Sequence, residues 1–370
     1  MWVPRRIKVG EDCAGMGLVS LAARKLGLNM KTEFAYDSAP HCQRFLAHHG
    51  CNLVGGDILD RDPLCMPPVD VFSMTHPCVT FSAEGKGEGT RNPVGMLYRQ
   101  SLKYIKLHLP RLVLYENVAR VFTCKRHKNV LKDIARTLKR AGYLVKVRIV
   151  NTKDWGVPHH RRRVYLVGLY QSAVRQPFHW PKPVNLKYRM KDVLKPLSRK
   201  RDRPWKLPGS TRSTCHFTPK AKKRGRLLAK KATRLALARY GVQHVHDLKK
   251  GTVVFADIGC SERYSPKKPT MNVMHTLTAT RGKSGGPWCC SRGRKMDIDE
   301  LSWVQGIDSA DMQFKEAGVS DSQAGGMLGN SMSLNVVERL LLRALFSVGL
   351  VSSLPVDRWE DGMSKPGPSW

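Results

Sequence analysis

A lone thiol stands where a predicted buried strand meets a glycine-rich loop. The run VDVFSM over residues 69–74 has the apolar content of a buried strand, and His76, Pro77 and Cys78 follow it closely. The next residues, VTFSAEGKGEG, are polar and include three glycines. A thiolate is a strong nucleophile where nearby positive charge lowers its pKa, so this placement is typical of a catalytic cysteine. The alternative is a cysteine that packs as a small hydrophobic residue.

Acidic side chains follow three other predicted strands. Asp37 follows KTEFAY, Asp57 follows the short strand in CNLVGGD, and Glu116 ends RLVLYE. Ligands of parallel sheets bind beyond the carboxyl ends of the strands, where a carboxylate can bind ribose hydroxyls. Asp57 with Ile58 could hold the amino group and ring face of an adenine, although each acid alone could equally cap a helix. Glu116 is costly at a buried strand end unless it has a partner or a task.

Two glycines stand in a turn between a predicted strand and a predicted helix. The strand is RRIKVG, the turn CAGMG contains Gly15 and Gly17, and the helix is LVSLAARKLG. Glycines at such a turn let a ligand approach the backbone and meet the helix N-terminus. The turn is weak evidence by itself, and it gains weight from the acids at the neighbouring strand ends.

The first half of the chain alternates predicted strands and helices. This rhythm predicts an α/β fold with a doubly wound, mostly parallel, Rossmann-like sheet and a second, smaller basic domain. We predict a large catalytic and cofactor-binding domain over residues 1–170, completed by a returning helix over 320–348. The small domain and a hinge would occupy 171–310, and the Pro/Gly/Ser-containing segment 352–370 would be a flexible tail.

The chain is strongly basic. Its 370 residues include 64 Lys and Arg against 29 Asp and Glu, which gives a formal net charge of +35. Such an excess favours a polyanionic partner, with nucleic acid the first candidate and an anionic membrane surface the second. Residues 171–291 hold roughly +20 of it. This stretch is either a solvated linker or a small nucleic-acid-binding domain, and KKRGRLLAKKATRLALARYG favours some helical order.

Nothing in the sequence predicts a membrane-spanning or metal-binding protein. No apolar run approaches the roughly 20 residues of a membrane span, and the N-terminus MWVPRRIKVGEDCAG lacks the apolar region of a signal peptide. The ten cysteines form no CxxC pair, and the spacing of His159, His160, Cys289 and Cys290 matches no common zinc pattern. We therefore expect an intracellular monomer without a metal, nuclear if the organism is eukaryotic.

Taken together, these motifs resemble the S-adenosylmethionine-dependent cytosine-5 DNA methyltransferase family. The resemblance runs from about Ile7 to Leu345 with the motifs in the family's order. Individually each motif could arise by chance, but jointly they are very specific. They are the Pro77-Cys78 loop, the ENV strand end at residues 116–118, the pair Arg161 and Arg163 in GVPHHRRRVYLVG, and Asn330-Ser331 in GGMLGNSMSLNVVERLL.

The resemblance implies a covalent mechanism on a cytosine flipped out of its DNA helix. Carbon 5 of cytosine is a poor nucleophile, so a thiolate must first add at carbon 6 and raise the electron density at carbon 5. Cys78 is implied as that thiolate, and Glu116 as the residue that holds or protonates ring nitrogen 3. Asn117 would support the loop, and Arg161 and Arg163 would steady the base and the catalytic loop.

The resemblance also implies where the cofactor and the DNA bind. S-adenosylmethionine would lie against the glycine turn, the strand-end acids and the late Asn-Ser pair. The implied cofactor residues are Cys13, Gly15, Gly17, Asp37, Asp57, Ile58, Asn330 and Ser331. The basic region over 171–310 would be the target-recognition domain, so DNA is the expected partner.

The chain departs from the family's pattern beside the cysteine, in the cofactor turn and before the arginine pair. The departing positions are Glu11, Cys13, Leu18, His76, Val79 and His159, where the family usually has Asp, Phe, Gly, Pro, Gln and Gln. A catalytically inactive, nucleic-acid-binding relative is therefore one alternative. The nucleophile, the glutamate and both arginines remain, which favours activity.

A second alternative keeps the chemistry and changes the substrate to tRNA. The compact length, with no large N-terminal extension, is compatible with the family's tRNA-modifying branch. Residues 215–218, Cys-His-Phe-Thr, faintly resemble a Cys-Phe-Thr signature of that branch, although the histidine interrupts it. The sequence leaves the choice between DNA and RNA open.

Overall fold

The computed structural model describes residues 6–77, 96–125, 127–186, 189–196, 219–258 and 269–360, with the backbone alone for 219–226 and 228. Cys78 and the glycine-rich loop after it lie outside the described residues. The Cys-His-Phe-Thr run at 215–218 lies outside them as well. Every structural statement below refers to the described residues.

A seven-stranded sheet forms the centre of the molecule, in the order β3-β2-β1-β4-β5-β7-β6. The first five strands are parallel, and β7 and β6 each run antiparallel to their neighbours. The predicted mostly parallel α/β sheet is confirmed. The strands are β1 (Ile7–Asp12), β2 (Met30–Tyr36), β3 (Leu53–Gly55), β4 (Val71–Met74), β5 (Leu112–Val118), β6 (Tyr143–Asn151) and β7 (Arg162–Tyr170).

Helices cover both faces of this sheet because successive strand residues point to opposite sides. Val71 and Leu112 belong to one apolar core, and their neighbours Phe72 and Val113 belong to another. The first core contains α1 and α11, and the second contains α3 and α5. The helices of this half are α1 (Leu18–Lys25), α2 (Pro40–His48), α3 (Tyr98–His108), α4 (Arg120–Thr123) and α5 (Lys128–Arg140).

A small antiparallel sheet forms between residues 254 and 295, in the order β11-β10-β8-β9. One long helix packs on it through small residues, and the Trp288 indole N–H donates to Thr233 on that helix at 3.1 Å. The elements of this region are α6 (Met190–Val193), α7 (Pro219–Arg239), β8 (Val254–Ala256), β9 (Thr270–Met271), α8 (Ala279–Lys283), β10 (Trp288–Cys289), β11 (Arg294–Lys295) and α9 (Ile298–Trp303). Val253 and Phe255 belong to the first apolar core, which also contains Ile7. The division into two domains, with boundaries at residues 170 and 310, therefore stays a prediction.

The chain returns to the large sheet through α10 (Asp321–Asn330) and α11 (Leu334–Ser347). The segment after them corrects the flexible tail expected over 352–370. Trp359 is fully buried and its indole N–H donates to Glu338 at 2.7 Å, while Asp357 accepts from Arg339 at 2.7 Å. Buried charges and an indole therefore hold the segment to α11 as far as residue 360. Residues 361–370 lie outside the described part of the chain.

Among the described residues, no helix is long and apolar enough to cross a bilayer. A transmembrane helix needs about 20 consecutive apolar residues. The longest helix here, α7, has 21 residues but carries many Lys and Arg.

Candidate active site

A cavity of about 490 Å³ opens at the carboxyl edge of the parallel strands. This volume is in the range of small-molecule and cofactor sites. Nine of the predicted site residues line it: Cys13, Gly15, Asp37, Asp57, Ile58, Glu116, Arg163, Asn330 and Ser331. Pro77, which directly precedes Cys78, lines it too, whereas Gly17, Asn117 and Arg161 lie outside the lining.

The turn after β1 is built from three residues in the left-handed region. Cys13, Gly15 and Gly17 have φ of 53°, 56° and 60°. The backbone N–H of Gly15 donates to Asp37 Oδ2 at 2.9 Å, so the turn is fastened to the end of β2. A Cβ atom at Gly15 would meet nothing within 4 Å, which leaves its backbone open to a ligand. Gly17 is the N-cap of α1 and has a structural role at the helix start.

The two strand-end acids each accept a hydrogen bond from the backbone two residues later and also line the cavity. Asp37 Oδ1 accepts from the backbone N–H of Ala39 at 2.9 Å, and Asp57 Oδ1 accepts from that of Leu59 at 2.9 Å. An ionised carboxylate has about four acceptor positions, so both acids keep capacity for ligand hydroxyl or amino groups. Ile58 supplies an apolar wall beside Asp57. This donor and acceptor set fits a nucleoside.

Glu116 and Arg163 form the polar floor at the other end of the cavity. Glu116 is 6% exposed, and Arg163 Nε lies 3.2 Å from its Oε1. The contact is close but poorly aligned, and Oε1 has no hydrogen-bond partner among the residues that the structure describes. Burial raises the pKa of the Glu116 carboxyl, while the positive charges of Arg163 and Arg161 oppose that shift. The site thus holds a carboxyl that accepts a proton easily and still needs a partner.

Asn117 connects the ends of two neighbouring strands. Its side-chain N–H donates to the backbone carbonyl of His76 at 3.1 Å, and its Oδ1 accepts from the N–H of Val118 at 2.9 Å. The first bond fixes the backbone two residues before Cys78. The structure therefore places Asn117 as a support for the strand end from which the cysteine loop departs.

Arg161 lies behind the cavity and joins three segments of the chain. It is 1% exposed and donates to the carbonyls of Leu277 at 2.8 Å, Gly329 at 3.3 Å and Ser331. Arg161 thus holds the backbone next to Asn330, and its implied contact with the base and the catalytic loop stays a prediction. Its neighbour Arg163 is the arginine that faces the cavity.

Helices α8 and α10 approach each other closely beside the carbonyls that Arg161 binds. A Cβ atom at Gly282 in α8 would lie 1.7 Å from the carbonyl oxygen of Gly325 in α10. One at Gly329 would lie 2.4 Å from Thr278, so only glycine allows these backbones to touch. The contact brings Lys283 to the rim of the cavity and fixes the turn at Asn330. Sequence reasoning did not identify Lys283.

A chain of buried polar residues that ends at His76, two residues before Cys78, was also missed. Arg61 makes a bidentate ion pair with Asp12, and the Ser101 hydroxyl donates to Asp12 as well. Ser101 therefore accepts from Nε2 of His76, which lies at 2.9 Å. Burial, with a smaller contribution from Arg61, lowers the pKa of His76 to about 3, so this histidine is neutral. No spacing in the sequence signals the chain, because its members are 25 to 89 residues apart.

The described residues contain no group of three or more His, Cys, Asp and Glu that could hold a metal ion. Cys289 and Cys290 are both buried, and burial raises the pKa of both thiols. His159 accepts the N–H of Leu277 at 3.0 Å. It fixes the same segment as Arg161.

A family model described as C-5 cytosine-specific DNA methylase matches residues 7–345 of the chain. The protein therefore belongs to the C-5 cytosine-specific DNA methylase family, as the motifs predicted. The match includes both ends of the cavity and the helices that return to the sheet.

Curated relatives match about half of the chain. Type II methyltransferase M.NgoBI of Neisseria gonorrhoeae is 36% identical over 172 residues, which are 46% of this chain and 52% of that protein. Type II methyltransferase M.HaeII of Haemophilus aegyptius is 30% identical over 181 residues, 49% of this chain and 55% of that protein. The chain thus spans about half the length of the curated relatives it matches.

Solved structures match over a longer part of the chain. The Entamoeba histolytica methyltransferase EhMeth has a TM-score of 0.63 at 15% identity, over 92% of this chain and 98% of that one. The S. pombe Dnmt2 methyltransferase has a TM-score of 0.58 at 14% identity, with the same coverage. At such identity the likeness shows a shared fold.

Proposed function

We propose that the protein transfers a methyl group from S-adenosylmethionine to carbon 5 of cytosine in DNA, through a covalent adduct with Cys78. The observation that carries the proposal is the buried carboxyl of Glu116. Its Oε1 lacks a hydrogen-bond partner, lies 3.2 Å from Arg163, and faces the same cavity as the glycine turn and Pro77. Family membership and relatives named as Type II methyltransferases support the same reaction.

The cofactor end of the cavity fits S-adenosylmethionine. The open Gly15 backbone would face the methionine part, Asp37 would accept from the ribose hydroxyls, and Asp57 with Ile58 would hold the adenine. Cys13, Asn330 and Ser331 would complete the walls. When bound, this cofactor supplies an electrophilic methyl group on a positively charged sulfur.

The residues of the chain itself prepare the cytosine. The Cys78 thiolate adds to carbon 6, the electrons of the 5,6 double bond move toward the ring carbonyl and nitrogen 3, and Glu116 delivers its proton to nitrogen 3. Carbon 5 of the resulting enamine then takes the methyl group. Nitrogen 3 returns its proton to Glu116. A water molecule then takes the carbon 5 proton, the electrons of that C–H bond form the 5,6 double bond, and the Cys78 thiolate leaves carbon 6. Arg163 stabilises the carboxylate while the proton is away.

The proposal places the protein with cellular DNA, as an intracellular monomer and in the nucleus if the organism is eukaryotic. Purified protein should transfer labelled methyl groups to duplex DNA, with total tRNA assayed in parallel. DNA containing 5-fluorocytosine should trap a covalent adduct with the wild-type protein and none with Cys78→Ala. Bisulfite sequencing would then locate the modified cytosines.

Three outcomes would revise the proposal in different ways. Transfer to tRNA alone would keep the chemistry and replace the substrate. DNA binding without calorimetric binding of S-adenosylmethionine would instead indicate a non-catalytic relative with an altered cofactor turn. An adduct that persists in Cys78→Ala would overturn the assignment of the nucleophile.

A further inference from the structure

The outer surface of α3 and α5 carries cations almost without acids. The two helices contain eight exposed Lys and Arg and a single acid, Asp133. We name the eight side chains the α3–α5 basic face. They are Arg99, Lys103, Lys106, Lys128, Lys132, Arg136, Lys139 and Arg140.

The spacing of these cations places them on the outside of the helix layer. Arg99, Lys103 and Lys106 follow each other at intervals of four and three. In α5, Lys128, Lys132, Arg136 and Arg140 follow each other at intervals of four, and Lys139 comes three residues after Arg136. Positions three and four apart lie on one side of a helix. The opposite sides are apolar and bury residues such as Leu102 and Ile134 against the large sheet. Because both helices pack on the same face of that sheet, both cationic sides point outward together.

The charges on this face are not neutralised within the described protein. None of the eight cations forms an ion pair there, and the carboxylate of Asp133 accepts from the Tyr98 hydroxyl at 2.8 Å. Pairs of like charges four residues apart destabilise a helix. The arrangement therefore carries a small cost in the free protein that a polyanion would remove.

The basic face begins at the cavity. Leu97, the residue before α3, lines the cavity, and Arg99 lies in the first turn of the helix. Helix α5 also starts at this edge, since it follows the carboxyl end of β5. At 1.5 Å per residue the cations extend roughly 16–20 Å away from the active site. A B-form duplex presents about ten phosphate charges over that distance.

We propose that the α3–α5 basic face binds the phosphate backbone of the duplex that flanks the target cytosine. This inference rests on the proposed function for its substrate, and it adds a second contact surface, separate from the predicted recognition domain. The side chains of this surface are cations that suit contact with the phosphate backbone. No aromatic side chain on either helix is strongly exposed, so there is no platform on which single-stranded bases could stack.

A membrane surface fits the same face less well. Helices that bind bilayers insert large apolar residues next to their cations. Among the exposed large hydrophobic residues, α5 has none, and α3 has only Leu107 at its distal end. A purely solubilising role would predict scattered charges of both signs, whereas this face is of one sign.

The test removes three charges from the face and three from another part of the same domain. The first variant combines Lys132→Gln, Arg136→Gln and Arg140→Gln, and glutamine keeps the helix propensity. The control combines Lys8→Gln, Lys31→Gln and Arg111→Gln, which lie at the amino ends of strands, away from the cavity. Binding to a duplex of roughly 30 base pairs is measured without cofactor at several salt concentrations, and circular dichroism checks the folding of each variant.

If the three cations contact phosphates, the slope of log K against log salt should fall by about two to three in the first variant. Affinity at about 0.15 M salt should drop roughly 10- to 100-fold. The control should change the slope by less than about one. Methyl transfer at saturating DNA should stay at the wild-type rate in both variants, because none of the six residues lines the cavity.

Equal slopes in the wild type and both variants would overturn the proposal. Equal loss in both variants would also overturn it, because it would show a general charge effect. Unchanged DNA binding with loss of binding to phosphatidylserine vesicles would replace the duplex with a membrane. Absence of methyl transfer by the wild type, with the slope change present, would overturn the proposed function and leave this surface standing. If the triple variant fails to fold, the pair Lys128→Gln and Lys139→Gln provides the same measurement, with a slope change of about one to two.

Discussion

The two ends of the cavity satisfy their polar groups in different ways. At the cofactor end, Asp37 already accepts two backbone N–H groups and Asp57 accepts one. At the catalytic end, Glu116 is almost fully buried and one of its oxygens has no hydrogen-bond partner. The proposed cofactor end is thus organised before any ligand arrives, whereas the proposed catalytic end keeps an oxygen that a substrate could bond.

Because of this difference, the two ends differ in what their carboxyl groups cost in stability and in what they add to ligand affinity. A buried carboxyl oxygen without a hydrogen bond costs stability, and a substrate that supplies the hydrogen bond recovers that cost on binding. A carboxylate that is already bonded to the backbone costs little and adds affinity through its remaining acceptor positions. The comparison therefore predicts large effects on rate from one end and moderate effects on cofactor affinity from the other.

The largest effect is expected from Glu116→Gln. Glutamine keeps the size of the side chain but cannot deliver a proton to nitrogen 3, so the methyl-transfer rate should fall roughly 10²-fold or more. Single-turnover kinetics would measure the rate, and calorimetry should show unchanged cofactor affinity. Glu338→Gln is the matched control, because Glu338 is another buried, arginine-paired carboxylate outside the cavity. A wild-type rate for Glu116→Gln would refute its proposed role.

A moderate effect is expected from Asp37→Ala. The substitution removes an acceptor for the ribose and the hydrogen bond that holds the N–H of Gly15. Hydrogen bonds to a charged group are worth about 1.5–3 kcal/mol, so the dissociation constant for S-adenosylmethionine should rise roughly 10- to 100-fold. DNA affinity measured by fluorescence anisotropy should be unchanged. Unaltered cofactor affinity would remove Asp37 from the cofactor site.

A smaller effect is expected from Asp57→Ala, because this acid is exposed at the rim. The loss in cofactor affinity should be a few-fold to about 10-fold. Asp62→Ala is a close control. Asp62 caps the next short turn through the N–H of Leu64 at 2.9 Å, as Asp57 does for Leu59, but does not line the cavity. If both variants weaken cofactor binding equally, the effect comes from lost capping and the assignment of Asp57 fails.

The smallest effect on the reaction, but a distinct effect on stability, is expected from Glu11→Gln. Burial raises the pKa of Glu11 to about 7 in the folded protein. The folded state therefore binds this proton more tightly than the unfolded chain. Its contribution to stability is complete below about pH 4.5 and is lost as the pH rises through about 7, by at most ~3 kcal/mol.

Urea unfolding at about pH 5.5 and pH 8 would test this. The wild type should lose stability between the two, and Glu11→Gln should lose less, because the amide stays neutral. Glu33→Gln, on the neighbouring strand and partly exposed, should follow the wild type. Parallel behaviour of Glu11→Gln and the wild type would show that Glu11 is ionised in both states.

Much of the site could be predicted from sequence because a parallel sheet brings strand ends together. Asp37, Asp57 and Glu116 were predicted from their positions after apolar runs, and all three line one cavity. The buried hydrogen bonds that link Arg61, Asp12, Ser101 and His76 could not be predicted, since each of them joins segments far apart in sequence. Arg161 was recognised by its motif, but its contacts to three carbonyls depend on how α10 packs.

Composition misled the prediction for the C-terminal segment. Its Pro, Gly and Ser content is typical of a mobile tail. Trp359 nevertheless enters the core, where Glu338 accepts its indole N–H. Local sequence does not reveal an acceptor that is provided by another helix, so an isolated tryptophan near a chain end is easily misread.

The glycine contact between α8 and α10 has a kinetic consequence. With no side chains between them, the two backbones are in direct contact, and Arg161 bonds to the carbonyl of Ser331, which lines the cavity. If nucleic acid binds the small sheet, as the prediction of a recognition domain requires, a displacement of α8 would reach the part of the cavity where we propose that the cofactor binds. The two substrates should then bind in a preferred order, and an isotope-partitioning experiment should show cofactor that is committed to turnover once the duplex is in place.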